Sequence, residues 1–373
     1  MGFDPCGVGE YFCGRGPWVS PTANDIVPLR GTLGPDYYNQ GVPMESGPEI
    51  SGSGQQPSVA KDSQPPKVGV ILVNWHGAEF TLPCVESLLK SNYPNFQIVV
   101  VDDGSTDGSP DRIAHEFPQV ELLRQPTNSG VSKARNRGIR HALKLGCEYA
   151  LMMDNDTRAD PNLISSLVET AESANRRAVV GPKIYWLRDP DRLWFAFGRL
   201  SLWTGLYSNP AYNQQDRGQF EKSVEMEVAS SCCMLMPKEA LETVGGFDEA
   251  FGYRTHEDVD LSLRCRRAGF RIIFSPKAKI WHLVGGSAQK MSGASIRYHA
   301  TRDQLWTLRK AATRWQMISI ALFYPFRALL RISAMIARGQ WDSIPAELRG
   351  AREGFFAPIV QGDPARMGLP LGK

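Results

Sequence analysis

The 373-residue chain lacks an excess of charge of either sign: 42 Lys and Arg stand against 39 Asp and Glu, a formal net charge of +3. Proteins that grip nucleic acid by its phosphates carry a basic surplus, so that class of partner is excluded and any cationic function has to be local. Cysteine is sparse and unpatterned. Cys6, Cys13, Cys84, Cys147, Cys232, Cys233 and Cys265 form no CxxC pair and have no clustered histidine to complete a zinc site, so they read as free thiols in a reducing compartment. The chain does not open with the basic and then apolar segments of a secretory signal, which points to work inside the cell. No GxGxxG follows the first apolar run, which argues against a dinucleotide-binding dehydrogenase.

Residues 1–66 are rich in Gly, Pro, Ser, Asp and Asn and show neither helical nor strand periodicity, so they read as a disordered or loosely ordered extension without chemistry. Order is expected from Val68. Val68 to Val73 is a short β-rich apolar run bounded by Pro65-Pro66 and Asn74, the pattern of a buried strand. A helix capped by Thr81 follows, with Leu82, Val85, Leu88 and Leu89 on one face and Pro83 in its first turn. The alternation continues with a strand at Ile98–Val101, a helix at Pro110–Glu116, a strand at Val120–Leu123, a helix at Ser132–Leu145 closed by Gly146, and a strand at Tyr149–Met153. Apolar strands alternating with helices give an α/β fold with a mainly parallel central sheet flanked by helices. Ligands of such sheets bind beyond the carboxyl ends of the strands. Here those ends carry Asn74, Asp102-Asp103 and Asp154-Asn155-Asp156, and acidic groups converging there need a partner such as a nucleotide with a cation.

Asp154 and Asp156, one residue apart, can bring two carboxylates to one hard cation, although isolated Asp-x-Asp triplets are mostly caps or solvated loops. The turn Asp102-Asp103-Gly104-Ser105-Thr106 leaves a strand and enters a helix; it is either an ordinary βα turn or one whose Asp accepts bonds from a base or ribose. Lys133, Arg135 and Arg137 stand in the first turns of a helix. A cationic helix start is disfavoured by the helix dipole unless an anion lies nearby, and a diphosphate fits that need. Glu257 and Asp258 precede a helix, where acids are either dipole complements or a general base for a hydroxyl acceptor. His282 follows a strand-like run and is either a packed side chain or a ligand of metal or phosphate.

In this order and spacing the segments resemble the family-2 glycosyltransferases of GT-A fold, and among them the branch similar to bacterial rhamnosyltransferases. The resemblance covers roughly Val68 to Lys310 and rests on Val73-Asn74-Trp75, Val101 to Asp107, Asn128 to Gly138, Asp154-Asn155-Asp156, Gly245-Gly246-Phe247-Asp248, Glu257 to Leu261 and Trp281-His282. It implies a nucleotide-sugar site at Asn74, Asp102, Asp103, Arg135 and Asp154, with Asp103 on the nucleoside and Arg135 near the diphosphate. It also implies Mn2+ or Mg2+ held by Asp156, Asp154 and His282, and Asp258 as catalytic base with Glu257 in reserve. The implied activity is inverting transfer of a sugar, rhamnose from dTDP-rhamnose being the best match, to a glycan or lipid-linked acceptor in cell-surface polysaccharide synthesis. A UDP-hexose or GDP-mannose donor, or a non-catalytic sugar-nucleotide-binding protein of the same fold, are the alternatives.

After Ser295 basic and aromatic residues interleave, and Met317 to Ala337 is apolar but broken by Pro325, Arg327 and Arg331. The uninterrupted part is shorter than the ~20 residues that span a bilayer, so it reads as an amphipathic helix lying in the membrane interface, the alternative being one packed on the domain. The expected organisation is thus an extension at 1–66, a GT-A catalytic domain at 67–295 and a helical, membrane-associating region at 296–373. The expected place is the cytoplasm, at the inner face of the cell membrane, in peripheral contact with it.

Overall fold

A computed structural model describes residues 64–251, 256–284 and 292–359. The expected extension at 1–66 falls almost wholly outside the described residues, as do Cys6 and Cys13.

The first half alternates as the sequence implies: β1 (Val68–Asn74), α1 (Ala78–Leu89), β2 (Phe96–Asp102), α2 (Ser109–Glu116), β3 (Glu121–Arg124), α3 (Val131–Lys144) and β4 (Tyr149–Met153). One helix starts earlier than expected. Gly77 supplies its first carbonyl, which accepts from Phe80 N and Thr81 N at 3.0 and 2.9 Å. Thr81 therefore lies inside α1 and does not cap it, and Pro83 falls within the helix instead of in its first turn. The chain then forms β5 (Thr157–Ala159), α4 (Leu163–Ser173), β6 (Ala178–Trp186), β7 (Asp189–Phe195), β8 (Arg199–Leu200), β9 (Tyr207–Ser208), β10 (Val224–Glu225), β11 (Cys233–Pro237) and α5 (Lys238–Val244). It ends with α6 (Glu257–Arg267), β12 (Arg271–His282), α7 (Gly293–Ala311), α8 (Arg314–Ala337) and α9 (Ser343–Phe356).

The main sheet runs β10-β12-β6-β11-β4-β1-β2-β3. Strands β4, β1, β2 and β3 are mutually parallel, as are β6 and β12, whereas β11 lies antiparallel between β4 and β6. The parallel half is the one the βα alternation specifies. β11 enters from the long excursion after β7, where no crossover helix sets its direction.

All seven residues of β1 are buried, because helices cover both faces. Val68, Val70 and Leu72 pack into a core with Leu82 and Val85 of α1 and Leu167 of α4, while Ile71 and Val73 point into an opposite core with Ala134 and Ile139 of α3 and Leu261 of α6. That two-residue alternation leaves the carboxyl edge for polar groups. Asn74 is in register with Asp102, and Leu72 is in register with Met153, so Asp154 to Asp156 emerge on the same edge.

The C-terminal helices dock on this body. Lys310 near the end of α7 pairs with Asp248 at 2.8 Å and with Asp260 of α6, and Arg267 donates to the carbonyls of Lys310 and Ala311. Beneath the carboxyl edge, Asn136 of α3 clamps the turn before α6: its amide donates to the Phe247 carbonyl at 2.8 Å and its carbonyl accepts from Phe247 N at 2.8 Å. The fit is close, since a Cβ on Gly246 would come within 2.1 Å of Asn136 Oδ1. Asn136→Ala leaves two buried backbone groups unpaired and is expected to lower stability by about 2–4 kcal/mol, read as a lower urea midpoint. An unchanged midpoint would mean that other contacts hold the turn.

Candidate functional site

Asp154 follows β4 directly and is tied down from two sides: its N–H donates to the Cys232 carbonyl at 2.9 Å, and its own carbonyl accepts from Thr157 Oγ1 at 2.7 Å. Asn155 turns inward to Thr81 at 2.8 Å. The chain then pairs as β5 against the end of β12, Thr157 opposite His282, and this register brings Asp156 to the imidazole. His282 Nε2 lies 3.1 Å from Asp156 Oδ1 and 4.0 Å from Asp154 Oδ2. The ring stands edge-on to Trp194 of β7, with centroids 4.8 Å apart. Ligand atoms of Asp154, His282 and Cys232 lie within 4.8 Å of one another.

This donor set fits a divalent cation. A carboxylate, an imidazole and a thiol lie together, with the Asp156 carboxylate 3.1 Å from the imidazole, and these are ligand types that such ions take. The cysteine was not expected here. Sequence spacing showed no histidine near it, yet the fold delivers His282 from β12 to Cys232 at the start of β11. The five cysteines among the described residues are free and buried, and burial together with Asp154 and Asp156 pushes the Cys232 thiol well above its ordinary value.

Arg135 of α3 crosses the floor of the site, 3% exposed, and donates to Asp154 Oδ1 at 2.8 Å, Glu257 Oε1 at 3.0 Å and Ser231 Oγ at 3.0 Å. Burial alone would lower its pKa, but Asp154 and then Glu257 outweigh that and raise it. The anions beside this cationic helix start are therefore carboxylates of the chain itself. Of its neighbours in the motif, Lys133 is exposed and Arg137 partly so.

The two acids of α6 part company. Glu257 is buried, bonded to Arg135 and to Ser231 Oγ at 3.1 Å. Asp258 remains partly exposed, accepting from Ser231 N at 3.2 Å and Val259 N at 2.8 Å. Burial, and next the Glu257 carboxylate, push the Asp258 carboxyl up to about 7. Ser231, which touches Arg135, Glu257 and Asp258, carries no motif signal in the sequence and was missed.

The other residues expected at the nucleotide-sugar site, Asn74, Asp102 and Asp103, make hydrogen bonds within the protein. Asn74 is fully buried; its amide donates to Asp102 Oδ1 at 2.7 Å and its carbonyl accepts from Thr81 at 2.8 Å, so it orders the strand ends. Asp102 also accepts from Ser105 N at 3.0 Å. Asp103 Oδ1 accepts from Gln125 Nε2, Ser129 N and Ser129 Oγ and its Oδ2 from Gly130 N, at 2.7 to 3.0 Å, so Oδ2 keeps acceptor capacity. It pins the loop leading into α3.

A family profile described as Glycosyl transferase family 2 matches residues 69–245, from β1 to the end of α5. That span is a family-2 glycosyltransferase domain. The chain is 26% identical over 241 residues to the N-acetylglucosaminyl-diphospho-decaprenol L-rhamnosyltransferase of Mycobacterium tuberculosis, covering 59% of this chain and 76% of the relative. It is 26% identical over 225 residues to the dTDP-rhamnosyl transferase RfbF of Shigella flexneri, covering 58% and 70%. Among solved structures, the mannosyltransferase PcManGT of Pyrobaculum calidifontis, in complex with GDP-Man and Mn2+, superposes with a TM-score of 0.50 over 78% of this chain and 87% of that one at 18% identity. The fold of the glycosyltransferase domain is GT-A, with helices on a central mixed sheet.

The raised Asp258 carboxyl has a stability signature. In the unfolded chain it loses its proton near its ordinary value of 3.8, in the folded chain near 7, so between those pH values the folded state holds the extra proton. Its contribution is present at low pH and is lost as pH rises through about 7. Asp258→Asn is expected to raise stability relative to the parent more at pH 8 than at pH 5, measured by urea unfolding at both. Parallel changes at the two values would contradict the shift.

Proposed function

We propose that the glycosyltransferase domain is a metal-dependent inverting transferase that moves a sugar from a nucleotide-sugar to a hydroxyl of a lipid-linked glycan. The observation that carries this reading is the meeting, at one sheet edge, of a cation-ligand set and a partly exposed carboxylate with a raised pKa, joined through Arg135. Asp156, Asp154 and His282 hold Mn2+ or Mg2+, which when bound neutralises the diphosphate and stabilises it as a leaving group. Arg135 keeps the Asp154 carboxylate aimed. The loop pinned by Asp103 walls the nucleoside side.

Asp258 is the base. Glu257 is buried against Arg135 and Ser231, whereas Asp258 is partly exposed and, at a pKa near 7, is matched to accepting a proton at neutral pH. As the acceptor oxygen attacks the anomeric carbon, its proton passes to Asp258, and the bond to the diphosphate breaks with its electron pair leaving on the phosphate oxygen. The anomeric centre is inverted. dTDP-rhamnose is the proposed donor, in keeping with the names of the Mycobacterium tuberculosis and Shigella flexneri relatives. Asp258→Asn is expected to cut transfer by roughly 10²- to 10⁴-fold while nucleotide-sugar affinity stays within about twofold, measured as nucleoside diphosphate release and by calorimetry. Loss of affinity in place of turnover would sink the base assignment, and release of UDP or GDP in place of dTDP would overturn the donor.

The acceptor reading is supported by α8. The helix runs unbroken through Pro325, and by length and composition it is apolar enough to cross a membrane. Two of its three arginines turn inward: Arg331 bonds Glu347 of α9 at 2.6 Å and Arg327 bonds the Thr204 carbonyl at 2.9 Å, while Arg314 at its start is exposed. Glu347 is buried and also accepts from Thr301 and Tyr324, so α8 is fixed to α7 and α9 by its polar face. What faces outward is apolar, with Trp315 61%, Leu322 76%, Phe326 65% and Leu329 66% exposed. A helix held this way lies along a bilayer surface more readily than across it, because spanning would strip the Arg331–Glu347 pair of its setting. Replacing Leu322, Phe326 and Leu329 together by Glu is expected to abolish flotation with anionic liposomes and leave donor hydrolysis in detergent-free buffer unchanged. Flotation equal to the parent's would rule out this face as the membrane contact.

A further inference from the structure

Cys232 stands opposite Asp154 across the antiparallel β4–β11 pair, since Cys233 is in register with Met153 and Asp154 N donates to the Cys232 carbonyl. Cross-strand neighbours on one face have Cβ atoms roughly 4.5–5.5 Å apart, so thiol and carboxylate are delivered to the same spot by backbone pairing. His282 arrives independently from the end of β12, fixed there by β5 and by the edge of Trp194. The sulfur of Cys232, an oxygen of Asp154 and a ring nitrogen of His282 consequently lie within 4.8 Å of one another. Cys232 is 3% exposed, which keeps bulk water from the sulfur.

Sulfur, imidazole nitrogen and carboxylate oxygen bond a divalent ion at roughly 2.3, 2.1 and 2.1 Å, which puts the ligand atoms of one tetrahedral ion about 3.5 Å apart. The three atoms, within 4.8 Å of one another, would have to draw in by about 1 Å around an ion. We infer that Cys232 is a sulfur ligand of the ion held by Asp154 and His282, and that it makes the site select borderline-soft divalent cations, Co2+, Zn2+ and Cd2+, over Mg2+. The inference rests on the metal site proposed above and narrows its ion. Coordination replaces the S–H bond by a sulfur–metal bond, the proton leaving to buffer, so no oxidant or reductant takes part. The His282 imidazole already favours such ions over Mg2+, and a thiolate donor strengthens that preference beyond what carboxylates and imidazole give.

The full-length protein titrated with Co2+ tests this. The parent and Cys233→Ser are expected to develop a thiolate-to-cobalt charge-transfer band that saturates at one equivalent, and Cys232→Ser to bind Co2+ without it. Cd2+ should displace bound Mn2+, followed by the Mn2+ paramagnetic resonance signal, at least about tenfold more readily from the parent than from Cys232→Ser. Should Cys232→Ser not fold, the cadmium resonance of the unmutated protein decides: a shift in the sulfur-ligated range supports the inference. A resonance in the oxygen and nitrogen range, or Co2+ displacing Mn2+ with no charge-transfer band, would overturn it while leaving the metal site standing. Absence of any Mn2+ or Co2+ binding would overturn both.

Discussion

Arg135 is buried where no water can solvate it, and it is held there by Asp154 at 2.8 Å and Glu257 at 3.0 Å. A guanidinium in that setting is tolerated only with its carboxylates in place, and removing either partner leaves an uncompensated charge. The pair of contacts therefore fixes two distant parts of the chain to each other: the end of β4, where the proposed cation ligands begin, and the first turn of α6, which carries the proposed base. Asp154, Asp156, Glu257 and Asp258 crowd this edge, and Arg135 alone does not balance them. The residual negative charge is felt at Asp258, whose carboxyl is pushed up to about 7 by burial and by Glu257. In the proposed function a divalent cation offsets that charge.

The rest of the fold serves that edge. Parallel β1, β2 and β4 end in register, so their polar ends emerge together. Asn74 and Asp103 make hydrogen bonds to neighbouring elements, which orders the proposed nucleoside side of the site before any ligand arrives. Such preorganisation lowers the ordering cost of binding. Lys310 bridges Asp248 and Asp260, so the helical region that carries the outward apolar face of α8 is anchored to the same helix that carries Asp258. The proposed membrane face and the proposed base are thereby tied to each other, which suits an acceptor that arrives from a membrane.

Much of this was legible in the sequence because the signals were local. Apolar runs of four to six residues with turn chemistry at their ends placed β1, β2 and β4 to within a residue or two at most boundaries. The Asp-x-Asp triplet, Arg135, Asp258 and His282 were found because each sits at the end of such an element, and the structure brings them together. What escaped depended on long-range pairing. The reversed direction of β11 has no local signature, since a five-residue apolar strand reads the same either way. Cys232 and Ser231 take their positions from that reversal, and so looked like an ordinary thiol and an ordinary hydroxyl. Asn74 and Asp103 were placed on the correct edge, but the sequence does not reveal that they already bond Thr81, Ser129 and Gly130. The inward turn of Arg327 and Arg331 likewise depends on Thr204 and Glu347, which no helical periodicity reveals.

The central claim is that the carboxylates at this edge await a cation carrying a nucleoside diphosphate. Thermal unfolding of the full chain with nucleotide-sugars, each with and without Mn2+, tests it most directly. The account predicts that at least one nucleotide-sugar raises the melting temperature only when the ion is present, by several degrees at saturating ligand. Equal stabilisation with and without the ion, or none from any nucleotide-sugar, would contradict it.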